Sequence, residues 1–328
     1  MTTRPLHALA CLLASTAAAA QAPTLLQALR SADVVVTARV VAASDPSPEW
    51  HRLHFAVTSV IAGAPGPTLT ILEPAGACCG RSLFALQVGD ERLLFLSRVG
   101  ATLHPRGGAH GVLLPTPALL AHVAALRDAD DPVRLAQVLS QALDSDEPAV
   151  VDDAAATLAG LPAAVLGRVD RAAVGRAFAQ ALAAERPRQA HLADVAVRLA
   201  DEALLDSVLD AYVRAPAPGH ARLLRQALQR GDPGAIAARI QGHARGDDQV
   251  LRAVELLLEL PPAAAWPTLA SLLPRAHPRV ALRAAEGLLG QGVRAQDLVQ
   301  VVPGPVLELA ERQRRHGPPF RAIDPARR

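Results

Sequence analysis

Lysine and asparagine are missing from this chain of 328 residues, so all 33 of its Lys-or-Arg positions are arginines. With Ala, Leu, Pro and Gly abundant, that usage points to a GC-rich, bacterial coding sequence. Aromatic residues are nearly as scarce, at two Trp, one Tyr and five Phe, too few for the stacking platforms that hold single-stranded nucleic acids. Neither sign of charge dominates either. A formal net charge of +2 supplies no single-sign field, and no nucleic-acid partner is expected. No apolar run reaches the ~20 residues of a membrane-spanning helix, because Arg, Asp or Glu interrupts each apolar helix, so no transmembrane segment is expected. Cysteine is confined to Cys11, Cys78 and Cys79.

The motifs of common chemistries are absent as well. There is no G-x-S-x-G and no H-E-x-x-H, and no carboxylate pair stands out from the helical surface charges. Gly107-Gly-Ala-His-Gly111 has the glycines of a phosphate loop but lacks Lys-Ser/Thr and a following helix, so it reads as a flexible hairpin or loop. His51 and His54 form an H-x-x-H, which on a strand puts the two rings on opposite faces. No catalytic, cofactor-binding or metal-ligating residue is assigned, and no cofactor is expected.

What is present falls into four stretches. Residues 1–22 carry one charge at Arg4, a short apolar run and small residues matching A-x-A at Ala18-Ala19-Ala20 or Ala20-Gln21-Ala22, the pattern of a secretory signal peptide. Residues 23–115 are β-branched and turn-punctuated. Strands are expected at Asp33–Ala42, Trp50–Val57, Thr68–Leu72 and Glu91–Ser97, with a turn at Asp45-Pro-Ser-Pro48. Leu53, Phe55 and Val57 alternate with Arg52, His54 and Ala56, which sends the first set inward. Five or so short strands suggest a small barrel.

Residues 116–316 change to helical periodicity, with helices opened by Thr116-Pro117 and Asp131-Pro132 and separated by Pro, Gly or Asp. One stripe recurs: Val150/Ala154/Leu158, Leu192/Ala196/Ala200, Val250/Val254/Leu258 and Val280/Ala284/Leu288. Units of that size stack as an α-solenoid, each burying its stripe against its neighbours; a helical bundle with Ala-rich interfaces is the alternative. The tail, 317–328, is expected to be disordered. The fold class is therefore α+β multidomain, a small N-terminal β-barrel followed by an all-α array.

Two resemblances refine this. Ala32-Asp-Val-Val-Val-Thr-Ala-Arg-Val40, Phe55-Ala-Val-Thr-Ser-Val-Ile-Ala-Gly63, Cys79-Gly80 and Val88-Gly-Asp-Glu-Arg-Leu-Leu-Phe95 resemble the OB-fold of the netrin-like and tissue-inhibitor-of-metalloproteinase group. That group's protease inhibitors chelate zinc through an N-terminal cysteine, whereas cleavage here leaves Gln21 or Pro23 first, so zinc-directed inhibition is not implied. Its disulfide framework is missing too, and Cys79 stands where the group has a cysteine paired at a distance. His277–Gly290, and more loosely Asp247–Leu258, resemble the second helix of a HEAT-like repeat.

The vicinal pair Cys78-Cys79 is the one candidate site. Neighbouring Cα atoms lie about 3.8 Å apart, below the ~4.4 Å lower end for ordinary disulfides, so a bond between them forms only with backbone strain, and it closes almost no loop. An exported compartment favours that oxidation. One buried and one surface thiol, or oxidation between chains, is the plainer alternative, and a metal held with His104 or His110 is a third. These readings lead to an expected function: an exported, non-enzymatic interaction module or scaffold with a protein partner on the helical-repeat surface. The competing expectations are an envelope thiol-redox or metal-binding factor using Cys78 and Cys79, and an inhibitor-like OB domain.

Overall fold

The computed structural model describes residues 23–316 apart from 48–49, 75–83, 85, 101, 185, 187 and 215–217. The segment 1–22 expected as a signal peptide, the expected tail 317–328, Cys11, Cys78 and Cys79 thus lie outside the described residues. The chain divides into two compact units, Met1–Asp130 and Asp131–Arg328.

The first unit is an OB-like barrel. Its strands are β1 (Val34–Ser47), β2 (Trp50–Ala62), β3 (Thr68–Pro74), β4 (Glu91–Val99), β5 (Thr102–Pro105) and a two-residue β6 (Val112–Leu113). They run in the order β1-β2-β3-β5-β4, and β1 pairs β4 as well, which closes five strands into a ring with β6 added beside β4. Closure depends on the length of β1. Val34 to Arg39 pair with β4 from Leu96 to Glu91, while β1 pairs β2 from Val35↔Ala62 to Ser47↔Trp50. Register shifts in that second ladder bend β1 enough to serve both neighbours. β1 runs on through Asp45 and Pro46 to Ser47, the ladder passing over those two by the register shift from Ser44↔Arg52 to Ser47↔Trp50, so residues 45–47 of the expected turn belong to the strand. The turn expected at Gly107–Gly111 is a 3-10 turn, Gly108–Gly111, entered through Gly107 in the left-handed region.

Burial follows the strand period. Leu53 and Phe55 are core residues, together with Val34, Val36, Leu94 and Leu96, and Val57 packs partly buried against them. In β1 and β4 the intervening Val35, Thr37, Leu93 and Phe95 are also buried, so both faces of these strands are covered. Helix α1 (Leu25–Ser31) packs on β4 and on α2 (Pro117–Arg127). Its start is a capping box: Thr24 Oγ1 accepts from the Gln27 N–H at 3.3 Å, and Gln27 Oε1 accepts from the Thr24 N–H at 3.1 Å. Arg127 donates to the Ile61 carbonyl at 3.2 Å, so α2 sits within the barrel unit.

The second unit is helical throughout. Its helices are α3 (Pro132–Leu143), α4 (Pro148–Gly160), the single-turn α5 (Ala163–Leu166), α6 (Arg171–Ala183), α7 (Gln189–Arg198), α8 (Glu202–Arg214) and α9 (Pro218–Leu228). They continue as α10 (Pro233–His243), α11 (Asp247–Leu257), α12 (Pro262–Leu272), α13 (Pro278–Gly290), the single-turn α14 (Ala295–Leu298) and α15 (Gly304–His316). Proline opens the first turn of α3, α4, α10, α12 and α13, where its missing N–H costs nothing. Asp131, Asp170 and Asp232 cap α3, α6 and α10 by accepting backbone N–H groups.

Packing runs to the next helix and to the next but one: α3 on α4 and α6, α4 on α7, α7 on α9, α8 on α10, α10 on α12, α11 on α13 and α13 on α15. The helices thus stack in two layers as a solenoid. The expected stripe is the buried surface at Val150, Ala154 and Leu158, at Val254, and at Val280, Ala284 and Leu288. Val250 and Leu258 are half-buried. Ala200 departs from the expectation. It lies beyond the end of α7 with φ 50°, and is exposed, because the chain leaves the helix there through a left-handed residue.

Two glycines of the barrel separate backbone strain from crowding. Gly63 (φ 82°) and Gly89 (φ 100°) both occupy the left-handed region. A Cβ on Gly63 would meet the Asp33 carbonyl oxygen at 2.3 Å, whereas one on Gly89 would have nothing within 4 Å. Gly89→Ala should therefore cost about 1–2 kcal/mol of left-handed strain, and Gly63→Ala about 3 kcal/mol or more, because the backbone of β1 must also move. Urea unfolding of the two variants checks this; equal losses would contradict the crowding at Gly63.

Candidate functional site

The residues singled out in the sequence do not converge. Cys78 and Cys79 fall in the connection from β3 to β4, outside the described residues. His104 is on β5, where its Nε2 lies 2.7 Å from Thr102 Oγ1. That hydroxyl gives its hydrogen to the Val99 carbonyl at 2.9 Å, so His104 Nε2 is the donor to it. His110 lies in the 3-10 turn. Among the described residues no three His, Cys, Asp or Glu side chains are grouped to hold a metal ion. His54 is on the outer face of β2, 3.1 Å from the Thr70 hydroxyl.

A hollow in the helical unit is the more site-like feature. It holds about 330 Å³ and is lined by Pro262, Ala263, Trp266 and Pro267 of α12, with Val293 and Asp297 from the segment after α13. Trp266 is half-buried and Val293 likewise, while both prolines are exposed. The composition of α12 makes this surface. Pro267 lies inside the helix, so it has no N–H to give the carbonyl of Ala263 four residues back. The hollow thus combines an aromatic face with aliphatic walls, and the carbonyl of its lining residue Ala263 lacks its usual intrahelical donor. Asp297 on its rim is paired with Arg294 at 3.1 Å. In chemical terms it can receive an apolar side chain accompanied by an N–H donor. Sequence reasoning passed over it, although a Trp-Pro pair within a helical segment is a readable signal.

A second cluster is buried. Asp194, nearly inaccessible at 5% exposure, stands in the apolar run Ala193-Asp-Val-Ala-Val197 of α7. Its Oδ2 is 2.6 Å from Arg230 and 3.9 Å from Arg198, while its Oδ1 has no hydrogen-bond partner. Burial pushes its carboxyl above the usual carboxylate range despite both arginines, and burial also lowers neighbouring His191. Arg198 in turn donates to the carbonyls of Ala159, at 2.6 Å, and Leu161, at the half-buried C-terminal end of α4. The cluster ties α4, α7 and the end of α9 together, and a structural tie accounts for all of its polar contacts but the free Oδ1. Asp-Arg pairs of the same reach recur. Arg176–Asp144, Arg188–Asp152 and Arg239–Asp206 span 32, 36 and 33 residues, and Arg230–Asp194 spans 36, close to one helix pair each time.

No protein-family profile matches the chain, and no curated protein is significantly similar to it.

The Asp194 cluster carries a pH signature with a definite sign. A carboxyl held above its unfolded value binds a proton more readily in the folded chain, so its contribution to stability is fully present below the unfolded pKa of about 3.9. That contribution is lost as pH rises through the folded value. The melting temperature of the wild type relative to Asp194→Asn should therefore fall as pH rises from about 3 to 7. A difference that grows with pH would mean that the ion pair with Arg230 outweighs burial.

Proposed function

We propose that the chain is an exported bacterial interaction module, without catalytic activity of its own, in which a netrin-like barrel precedes HEAT-like repeats that bind a protein partner. Support for the finer kinship comes from the barrel's strand order, with β1 paired to both β2 and β4, and from the next-but-one stacking of the helices. The reading of export rests on the N-terminal pattern of residues 1–22.

The observation that carries the reading is the hollow at Trp266. Half-buried tryptophans surrounded by apolar walls are the residues on which binding energy concentrates, with losses of 2 kcal/mol or more on truncation. The helices around it are held by packing to both neighbours, so the surface is preformed and little ordering cost opposes binding. A partner segment bearing an aliphatic or prolyl side chain fits the walls, and its backbone N–H can meet the Ala263 carbonyl.

Affinity capture from the envelope fraction of the native host, run in parallel with the wild type and a folded Trp266→Ala variant, tests this. The expected outcome is a reproducible partner whose affinity drops about thirtyfold in the variant. A partner retained equally by both would remove the hollow from the interface, and no reproducible partner at all would remove the interaction-module reading.

A further inference from the structure

The barrel is sealed unevenly, and its weakest seam carries a second surface. β2 and β3 pair continuously from Trp50↔Pro74 to Ala56↔Thr68, but β3 and β5 are bridged at one described pair, Ile71↔Leu103. A hollow of about 540 Å³ lies along this seam. Two arginines bracket it. Arg52 on β2 stands opposite Leu72 of β3, and Arg98 on β4 stands opposite Leu103 of β5, so three strand spacings, about 14 Å along the curved sheet, separate their backbones. Both are exposed. The hydroxyls of Thr68, Thr70 and Thr102 and the ring of His54 add to the polar lining, and Leu69, Leu72 and Leu103 to the apolar lining, Leu69 and Leu103 packing also on the barrel core.

The charge of this lining is one-sided. Among the described residues no Asp or Glu lines the hollow, and neither the Arg52 nor the Arg98 guanidinium is within ion-pair distance of a described carboxylate. Asp33, the acid nearest Arg98 in hydrogen-bonding terms, spends its Oδ2 on the Arg98 backbone N–H at 2.6 Å. Guanidinium groups so placed match carboxylates in fork geometry. Among the described residues no Trp, Tyr or Phe lines the hollow, which denies a base the larger stacking faces it would use.

From these we infer that the β3–β5 seam binds an extended acidic peptide segment, its carboxylates on Arg52 and Arg98 and an apolar side chain on Leu72. This surface belongs to the barrel and does not depend on the helical array's hollow.

Calorimetric titration of the full chain with a ten-residue peptide alternating Glu and Val tests the inference, with the Lys-for-Glu peptide and a sulfated oligosaccharide as comparison probes. The Glu peptide should bind, and bind at least tenfold more weakly to Arg52→Gln/Arg98→Gln at an unchanged melting temperature, while the equal-charge control Arg134→Gln/Arg279→Gln binds as the wild type does. Charge reversal, Arg52→Glu/Arg98→Glu, should transfer binding to the Lys peptide. Failure of the Glu peptide to bind, or binding indifferent to the two arginines, overturns the inference. Arginine-dependent binding of the sulfated oligosaccharide without the peptide would overturn it too, by assigning the seam to a glycan.

Discussion

The burial of one apolar stripe per helix against two neighbours is the constraint on which the helical unit rests. Its longer helices run to 10–13 residues, at or below the length at which an isolated helix is marginal in water. Helix propensity therefore cannot account for them. What holds each one is its apolar stripe, fully buried at Val150, Ala154 and Leu158 and at Val280, Ala284 and Leu288, and the stripe is covered only when the next helix and the next but one are both in place. Small residues set how close that approach is. Gly175 of α6 and Gly287 of α13 have no Cβ where one would lie 3.2 Å from Leu204 and 2.6 Å from Leu258.

Polar links then select one register among those the apolar stripes would allow. Surface pairs such as Arg176–Asp144, with both side chains about half exposed, contribute little stability of their own. Their value lies in position, since each joins helices one repeat apart. The buried pair at Asp194 differs, because Arg230 and Arg198 offset only part of the cost of taking its carboxylate from water. A polar group so costly to misplace penalises alternative packings of α7, which a stripe of alanines alone would not.

Local periodicity made much of this readable. The alternation at Arg52–Val57 located Leu53 and Phe55 in the core, and Thr116-Pro117 and Asp131-Pro132 marked helix starts, with Thr or Asp as the cap and proline as the first helical residue, where the structure has them. The recurrent stripe anticipated stacking. Four features were not read, for different physical reasons. The capping box Thr24-x-x-Gln27 was present as a local signal and was overlooked. Pairing of β1 with β4 joins residues more than fifty positions apart, and no pattern within either strand specifies it. Ala200 continued the four-residue spacing while the helix had already ended, since a stripe has no marker for a left-handed exit when the exit residue is not glycine. Asp194 looked like any helical acid, because its burial depends on Arg230 two helices later.

The absence of lysine has a structural counterpart in how the helix ends are finished. A helix leaves its last four carbonyls without intrahelical donors, and this array resolves several of them across repeats. Arg198 reaches both Ala159 and Leu161 at the end of α4, and Arg252 reaches both Val213 and Arg214 at the end of α8. These two arginines lie 54 positions apart in sequence, as do Ala159 and Val213, so the same device recurs two helix pairs along. A planar guanidinium with five donors can bridge two carbonyls from a fixed orientation, whereas an ammonium on a flexible stem offers a point charge without that geometry. Replacement of these arginines by lysine would conserve charge and lose the bridge. The compositional bias that first marked the sequence is thus also what lets one side chain close the end of a helix in the neighbouring repeat.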